Sequence, residues 1–108
     1  MDIKELVFES HKTALEKGFW ESNNISEKIM LCVTELAEAV EALRKDRRQI
    51  SKKDYDNMKV KDIGNGVMVG GFKFDRWAKD TFEDEIADTF IRLADLCGYR
   101  GIDIEWQL

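Results

Sequence analysis

Four carboxylates stand in two pairs of identical spacing, Glu35 with Glu38 and Glu85 with Asp88. In each pair the residues are three apart, so on a helix their side chains are neighbours. The second pair follows the first at a shift of 50 positions, where ELAEAVEAL aligns with EIADTFIRL at Glu/Glu, Leu/Ile, Ala/Ala, Glu/Asp, Val/Phe and Leu/Leu. Four carboxylates gathered at one place repel one another and take up protons unless something offsets them. A hard divalent cation does so, and an all-oxygen donor set suits magnesium, with manganese as an alternative. Magnesium keeps several waters and is commonly completed by substrate phosphates, which points to metal-assisted phosphate chemistry. The plainer account of one such pair is solvated helix surface. Two pairs set at the same angle to the apolar residues are harder to explain that way.

The elements that must carry these groups are helices. Asp2 with Glu5 has capping-box spacing, and Ile3, Leu6, Val7 and Leu15 then run to Gly18, predicting a first helix over residues 3–17. Asn24 with Glu27 repeats the start signal before Ile29, Cys32, Val33, Leu36, Val40 and Leu43, predicting a second helix over about 25–45. A third helix is expected from Asp80 or Thr81, with Phe82, Ile86, Phe90, Leu93 and Cys97, ending at Gly98. At 100° per residue the apolar face of the second helix centres near Leu36 and that of the third near Ile86, with each acidic pair on the shoulder. Packing through those apolar faces is expected to bring the two pairs together.

Between the second and third helices the composition changes. Residues 46–59 are charged, and residues 60–74 hold four of the seven glycines, with Asn65-Gly66 between apolar residues, a hairpin signal. A small β-hairpin is expected there, within an insertion spanning residues 46–79. The tail, Gly101 to Leu108, offers a start for a fourth helix at Asp103 but is too short to extend it. The expected architecture is all-α: one domain over residues 1–108, a bundle of three main helices completed by dimerisation. Each protomer has too few helices to close a four-helix core alone.

Charge and composition narrow the function classes. The net charge of −5 argues against binding a nucleic acid polymer, which needs a basic face. It does not argue against a small anion held through a cation. No apolar run approaches the roughly 20 residues of a membrane span, and the N-terminus lacks the order of a secretory signal. Cys32 and Cys97, each in an apolar helical stretch, read as reduced core residues, and a cytoplasmic location is expected.

At this point the residues resemble a known family. Glu35-Leu-Ala-Glu38 with Glu85-Ile-Ala-Asp88 looks like the ExxE…ExxD signature of the all-α nucleoside triphosphate pyrophosphohydrolases, the MazG-like group. The segment His11 to Trp20 resembles what precedes the metal helix in phage-type members, as do Glu27-Lys-Ile-Met-Leu and the stretches from Asp80 to Asp88 and Leu96 to Gly98. The resemblance covers residues 5–45 and 79–104. It implies a helical dimer or tetramer that hydrolyses a nucleoside triphosphate to the monophosphate and pyrophosphate, cleaving between the α and β phosphates with magnesium. The metal and catalytic roles carry over onto Glu35, Glu38, Glu85 and Asp88. It also implies nucleotide contacts at Lys17, for phosphate, and Trp20, for stacking on a base. The long segment between the acidic pairs and the short tail depart from the family pattern. A dUTP-preferring or a phosphoribosyl-ATP enzyme of the same superfamily would share these ligands.

Other groups have simpler readings. His11, the single histidine, has no Ser or Cys partner at a recognisable spacing. Arg47, Arg48, Lys52 and Lys53 read as a solvated charge run or a phosphate-attracting rim, and Lys73 and Arg76 follow the expected hairpin. The glycines of IGNGVMVGG are not followed by Gly-Lys-Ser/Thr, so they form no P-loop. From a different class, the chain reads as a catalytically silent helical module that dimerises or binds nucleotide. The intact acidic quartet speaks against that.

Overall fold

Capping residues and glycines set the helix ends. The structure, a computed structural model, describes residues 1–48, 53 and 78–108. Among these it is helical, with α1 at Ile3–Glu16, α2 at Ile25–Arg44, α3 at Phe82–Arg100 and α4 at Ile104–Gln107, and no strand. The hairpin expected around Asn65-Gly66 lies outside the described residues, as do Lys52, Lys73 and Arg76.

Each start has its cap. Asp2 Oδ1 accepts from the Glu5 N–H at 2.8 Å, Asn24 Oδ1 from Glu27 at 3.2 Å, Thr81 Oγ1 from Asp84 at 3.3 Å, and Asp103 Oδ1 from Trp106 at 3.1 Å. Schellman closures end α1, α2 and α3, with Phe19 N–H donating to Ala14, Arg47 to Ala42 and Ile102 to Cys97. The left-handed residues in these closures are Gly18 (φ 77°), Asp46 (φ 52°) and Gly101 (φ 66°).

Gly98 is therefore not the end of α3, contrary to the sequence expectation; the helix runs on to Arg100 and Gly101 terminates it. Gly98 has a packing reason instead. A Cβ built there would meet the His11 Cβ at 2.6 Å and Cγ at 2.9 Å. Gly98→Ala gains about 1 kcal/mol of helix propensity, but the overlap with α1 costs more. We expect a net destabilisation of about 1–3 kcal/mol, read as a fall in the urea midpoint. An unchanged or raised midpoint would show that α1 does not cross α3 so closely.

The chain divides into two compact units, Met1–Leu36 with Ala87–Leu108, and Ala37–Ile86, and the division passes through α2 and α3. In the first unit α1, the first half of α2 and most of α3 meet around small residues, with Ala14, Cys32 and Ala94 buried. Ser10, Glu35, Thr89 and Asp95 are buried with them. Trp20 stacks on Tyr99 with ring centroids 3.8 Å apart, and Lys4 pairs with Glu105 at 3.4 Å between α1 and α4. In the second unit Ala39, Ala42, Ala78, Thr81 and Glu85 are buried, and the Phe82 N–H donates to the Arg47 carbonyl at 2.9 Å.

The apolar stripe of α2 is placed differently from the sequence expectation. Ile29, Val33, Leu36, Val40 and Leu43 are each between 46% and 53% exposed, and on α3 Phe90 and Leu93 are 61% and 47% exposed. The face turned inward carries alanine, cysteine and the acidic residues. Small side chains allow close helix approach, so the larger apolar residues are left facing away from the chain's own core. No helix among the described residues is long and apolar enough to cross a membrane.

Candidate functional site

One turn of helix separates the members of each acidic pair, and α2 and α3 carry them toward each other. In the first unit, Glu35 and Asp88 offer carboxylate oxygens within 4.8 Å of one another. Glu35 is buried, and its Oε1 accepts from Arg92 Nε at 2.7 Å. In the second unit, Glu38 and Glu85 line one cavity of about 270 Å³, together with Lys45, Arg47 and Asp80. Glu85 is buried, whereas Glu38 is exposed. Along α2, Glu38 follows Glu35 by one turn; along α3, Asp88 follows Glu85 by one turn. Glu35 thus approaches Asp88 in the first unit, and Glu38 and Glu85 line one cavity in the second.

A further acidic group, Asp80, Asp84 and Glu85, also has oxygens within 4.8 Å of one another. Helix capping accounts for one of them: Asp84 Oδ2 accepts from the Asp80 N–H at 2.8 Å, and Asp84 is the third residue after the Thr81 cap. The Asp80 carboxylate pairs with Lys79 Nζ at 3.3 Å.

A second cavity, of about 220 Å³, lies in the first unit and is lined by Phe19, Trp20, Lys28, Leu31, Arg92 and Asp95. Arg92 belongs both to this cavity and to the Glu35 ion pair, with its guanidinium carbon 5.9 Å from the Phe19 ring centre. Lys28 donates to the Phe19 carbonyl and sits 5.1 Å from the Trp20 ring centre. Trp20 lines the cavity, but its indole N–H is committed to Asp95 Oδ1 at 2.9 Å. Lys17 does not line it; it is the exposed C-cap of α1. His11, expected from the sequence at a helix surface or an interface, is half-buried and shares a 2.9 Å hydrogen bond with Asp95 Oδ1 through Nδ1. A carboxylate only accepts, so Nδ1 carries the proton.

Lys28, Arg92 and Asp95 were not singled out by motif. One periodic signal marks two of them. Glu85, Asp88, Arg92 and Asp95 lie at i, i+3, i+7 and i+10 on α3, one continuous face.

Burial pushes the Cys32 thiol above its ordinary range, with Arg92 acting in the opposite direction and Glu35 reinforcing the rise. Burial likewise raises Cys97. Both are free thiols. The folded state holds these protons where an unfolded chain, with pKa about 8.5, releases them. Their contribution to stability is therefore full below that value and is lost as pH rises through the folded values. We expect iodoacetamide at pH 8.5 to label native Cys32 far more slowly than urea-unfolded protein, as read by mass spectrometry. Equal rates would contradict the burial.

Comparison of the chain with protein-family models, with curated proteins and with solved structures returned no match in any of the three.

Proposed function

We propose that this chain is a MazG-like pyrophosphohydrolase, hydrolysing a nucleoside triphosphate to the monophosphate and pyrophosphate, with Glu35, Glu38, Glu85 and Asp88 as the ligands of magnesium. The observation that carries the reading is the approach of Glu35 to Asp88 within 4.8 Å, on helices whose next acidic residues, Glu38 and Glu85, share a cavity. Two carboxylates this close, one of them buried, favour a cation as their neighbour, a demand that Arg92 meets in part at Glu35. The donor set is all oxygen, as magnesium or manganese requires, and small side-chain shifts bring such a pair within reach of metal–oxygen bonds of about 2.1 Å.

Bound there, magnesium supplies polarisation of the phosphates and a more acidic water. The chain's own residues do the rest. Arg92 Nε–H fixes the orientation of Glu35 through Oε1, and a carboxylate has acceptor positions on both oxygens. Lys45 and Arg47 line the cavity of Glu38 and Glu85, where they offset the charge that gathers on a departing pyrophosphate.

The reading includes a homodimer, or a tetramer built from dimers. Its support is the apolar stripe of α2, half-exposed along its length, with Phe90 and Leu93 of α3. A stripe of this kind is what a second copy would bury.

The test is pyrophosphate release from a panel of ribo- and deoxyribonucleoside triphosphates, with magnesium and with a chelator. Release confined to the magnesium arm is expected. No release from any of them, by folded protein, would remove the enzymatic reading and leave a binding module.

A further inference from the structure

The Glu35 ion pair puts a permanent cation beside the acidic site. Arg92 Nε lies 2.7 Å from Glu35 Oε1, and the two side chains are 29% and 9% exposed, so salt and water screen this pair less than one at the surface. Along α3, Arg92 follows Asp88 by one helical turn on the same face. The guanidinium is thus in contact with one carboxylate of the first unit and one turn from the other.

That charge is fixed. A guanidinium stays protonated in proteins, whereas a lysine or histidine in its place could shed a proton to admit a metal. Glu35, Asp88 and Arg92 together carry a single formal negative charge. Arg92 also commits Glu35 Oε1 to a hydrogen bond. A dication approaching this group meets an occupied carboxylate oxygen, little net negative charge and a like charge alongside, which disfavours it. Magnesium adds its own reluctance to shed water, and is usually held by one or two carboxylates completed by substrate phosphates. A triphosphate makes good what the site lacks, since it brings oxygens and negative charge together.

We propose that Arg92 makes metal binding depend on the nucleotide: its charge on Glu35 keeps the site from filling with free magnesium, and the site takes metal and triphosphate together. This rests on the metal-site and nucleotide reading above and adds to it an order of assembly. Arg92 acts through Glu35, as a positioning residue, and takes no part in the bond cleavage. The coupling is reciprocal, so the factor by which a nucleotide tightens the metal is also the factor by which the metal tightens the nucleotide.

Arg92→Gln tests it, because the variant loses the charge and keeps an N–H donor for Glu35. Magnesium chloride is titrated into the full chain by calorimetry, for wild type and variant, first alone and then with each α,β-methylene deoxynucleoside triphosphate. Thermal melting in chelator is the check on folding. Wild type is expected to bind magnesium alone weakly, and at least one analogue to tighten that binding by about tenfold or more. In Arg92→Gln, magnesium alone is expected to bind about tenfold or more tightly than in wild type, since a like charge has left the site. The further gain from the analogue should shrink accordingly. A merely structural Arg92 predicts the opposite sign, weaker metal binding, because Glu35 loses its anchor. Affinity for magnesium alone that is unchanged or weakened in the folded variant would overturn this proposal and leave the metal site standing. If Arg92→Gln fails to fold, wild type decides: micromolar binding of magnesium alone, or binding that no analogue tightens, overturns the proposal, and weak binding that an analogue tightens upholds it. No magnesium binding by either protein, with or without an analogue, would overturn the metal site and this inference with it.

Discussion

Glu38→Gln is expected to lower magnesium-dependent pyrophosphate release by about 100-fold or more, while the protein stays folded. Removing even an outer-shell partner of a metal site typically costs 10–100-fold, and a ligand itself should cost at least the upper figure. Glu38 is the cleanest of the four positions to change. It is exposed, so a neutral isostere disturbs no packing, whereas Glu35 and Glu85 are buried and Glu35 holds Arg92. The substitution also removes one negative charge from a crowded acidic site, so thermal stability in the absence of metal should hold or rise slightly. The pairing of the two readouts is informative. Lost turnover with retained stability is what a metal ligand gives, and lost stability would point to a structural role. Full activity in the variant would sink the assignment of this carboxylate.

Leu36→Glu combined with Val40→Glu is expected to convert a dimer to a monomer. Both residues lie half-exposed on the α2 stripe, so in a lone chain the replacements meet water and should leave the helix intact. In a two-fold assembly each substitution occurs twice. Burial of each such side chain contributes roughly 1.5–3 kcal/mol, and carboxylates in their place bring desolvation cost and mutual repulsion. The dissociation constant should rise by at least about a thousandfold, enough to abolish the dimer at micromolar concentration. Light scattering coupled to size exclusion reads the outcome. A monomeric wild type would dispose of the self-association reading, and a double variant that stays dimeric would move the interface to another face.

The sequence by itself determined the helices and the spacing of the four candidate carboxylates. Asp2, Asn24 and Asp103 announce helix starts that the backbone follows, and Gly18 ends α1 as its position implies. These are local effects, settled by which side chain reaches which orphan N–H, and they need no tertiary information. The spacing of Glu35, Glu38, Glu85 and Asp88 was likewise legible, because three residues on a helix always make neighbours.

Tertiary structure decided which face of each helix turns inward. Periodicity locates an apolar stripe without saying whether it meets the chain's own core or something outside it. Here the alanine face packs within the chain and the Leu36 stripe does not. The role of Gly98 depended on His11, 87 positions away, and a lone glycine near a helix end carries no mark of that distant neighbour. Asp95 was hidden for the same reason. Its partners come from α1 and from the turn that follows it, and only the crossing of those elements over α3 turns one carboxylate into a hydrogen-bonded hub.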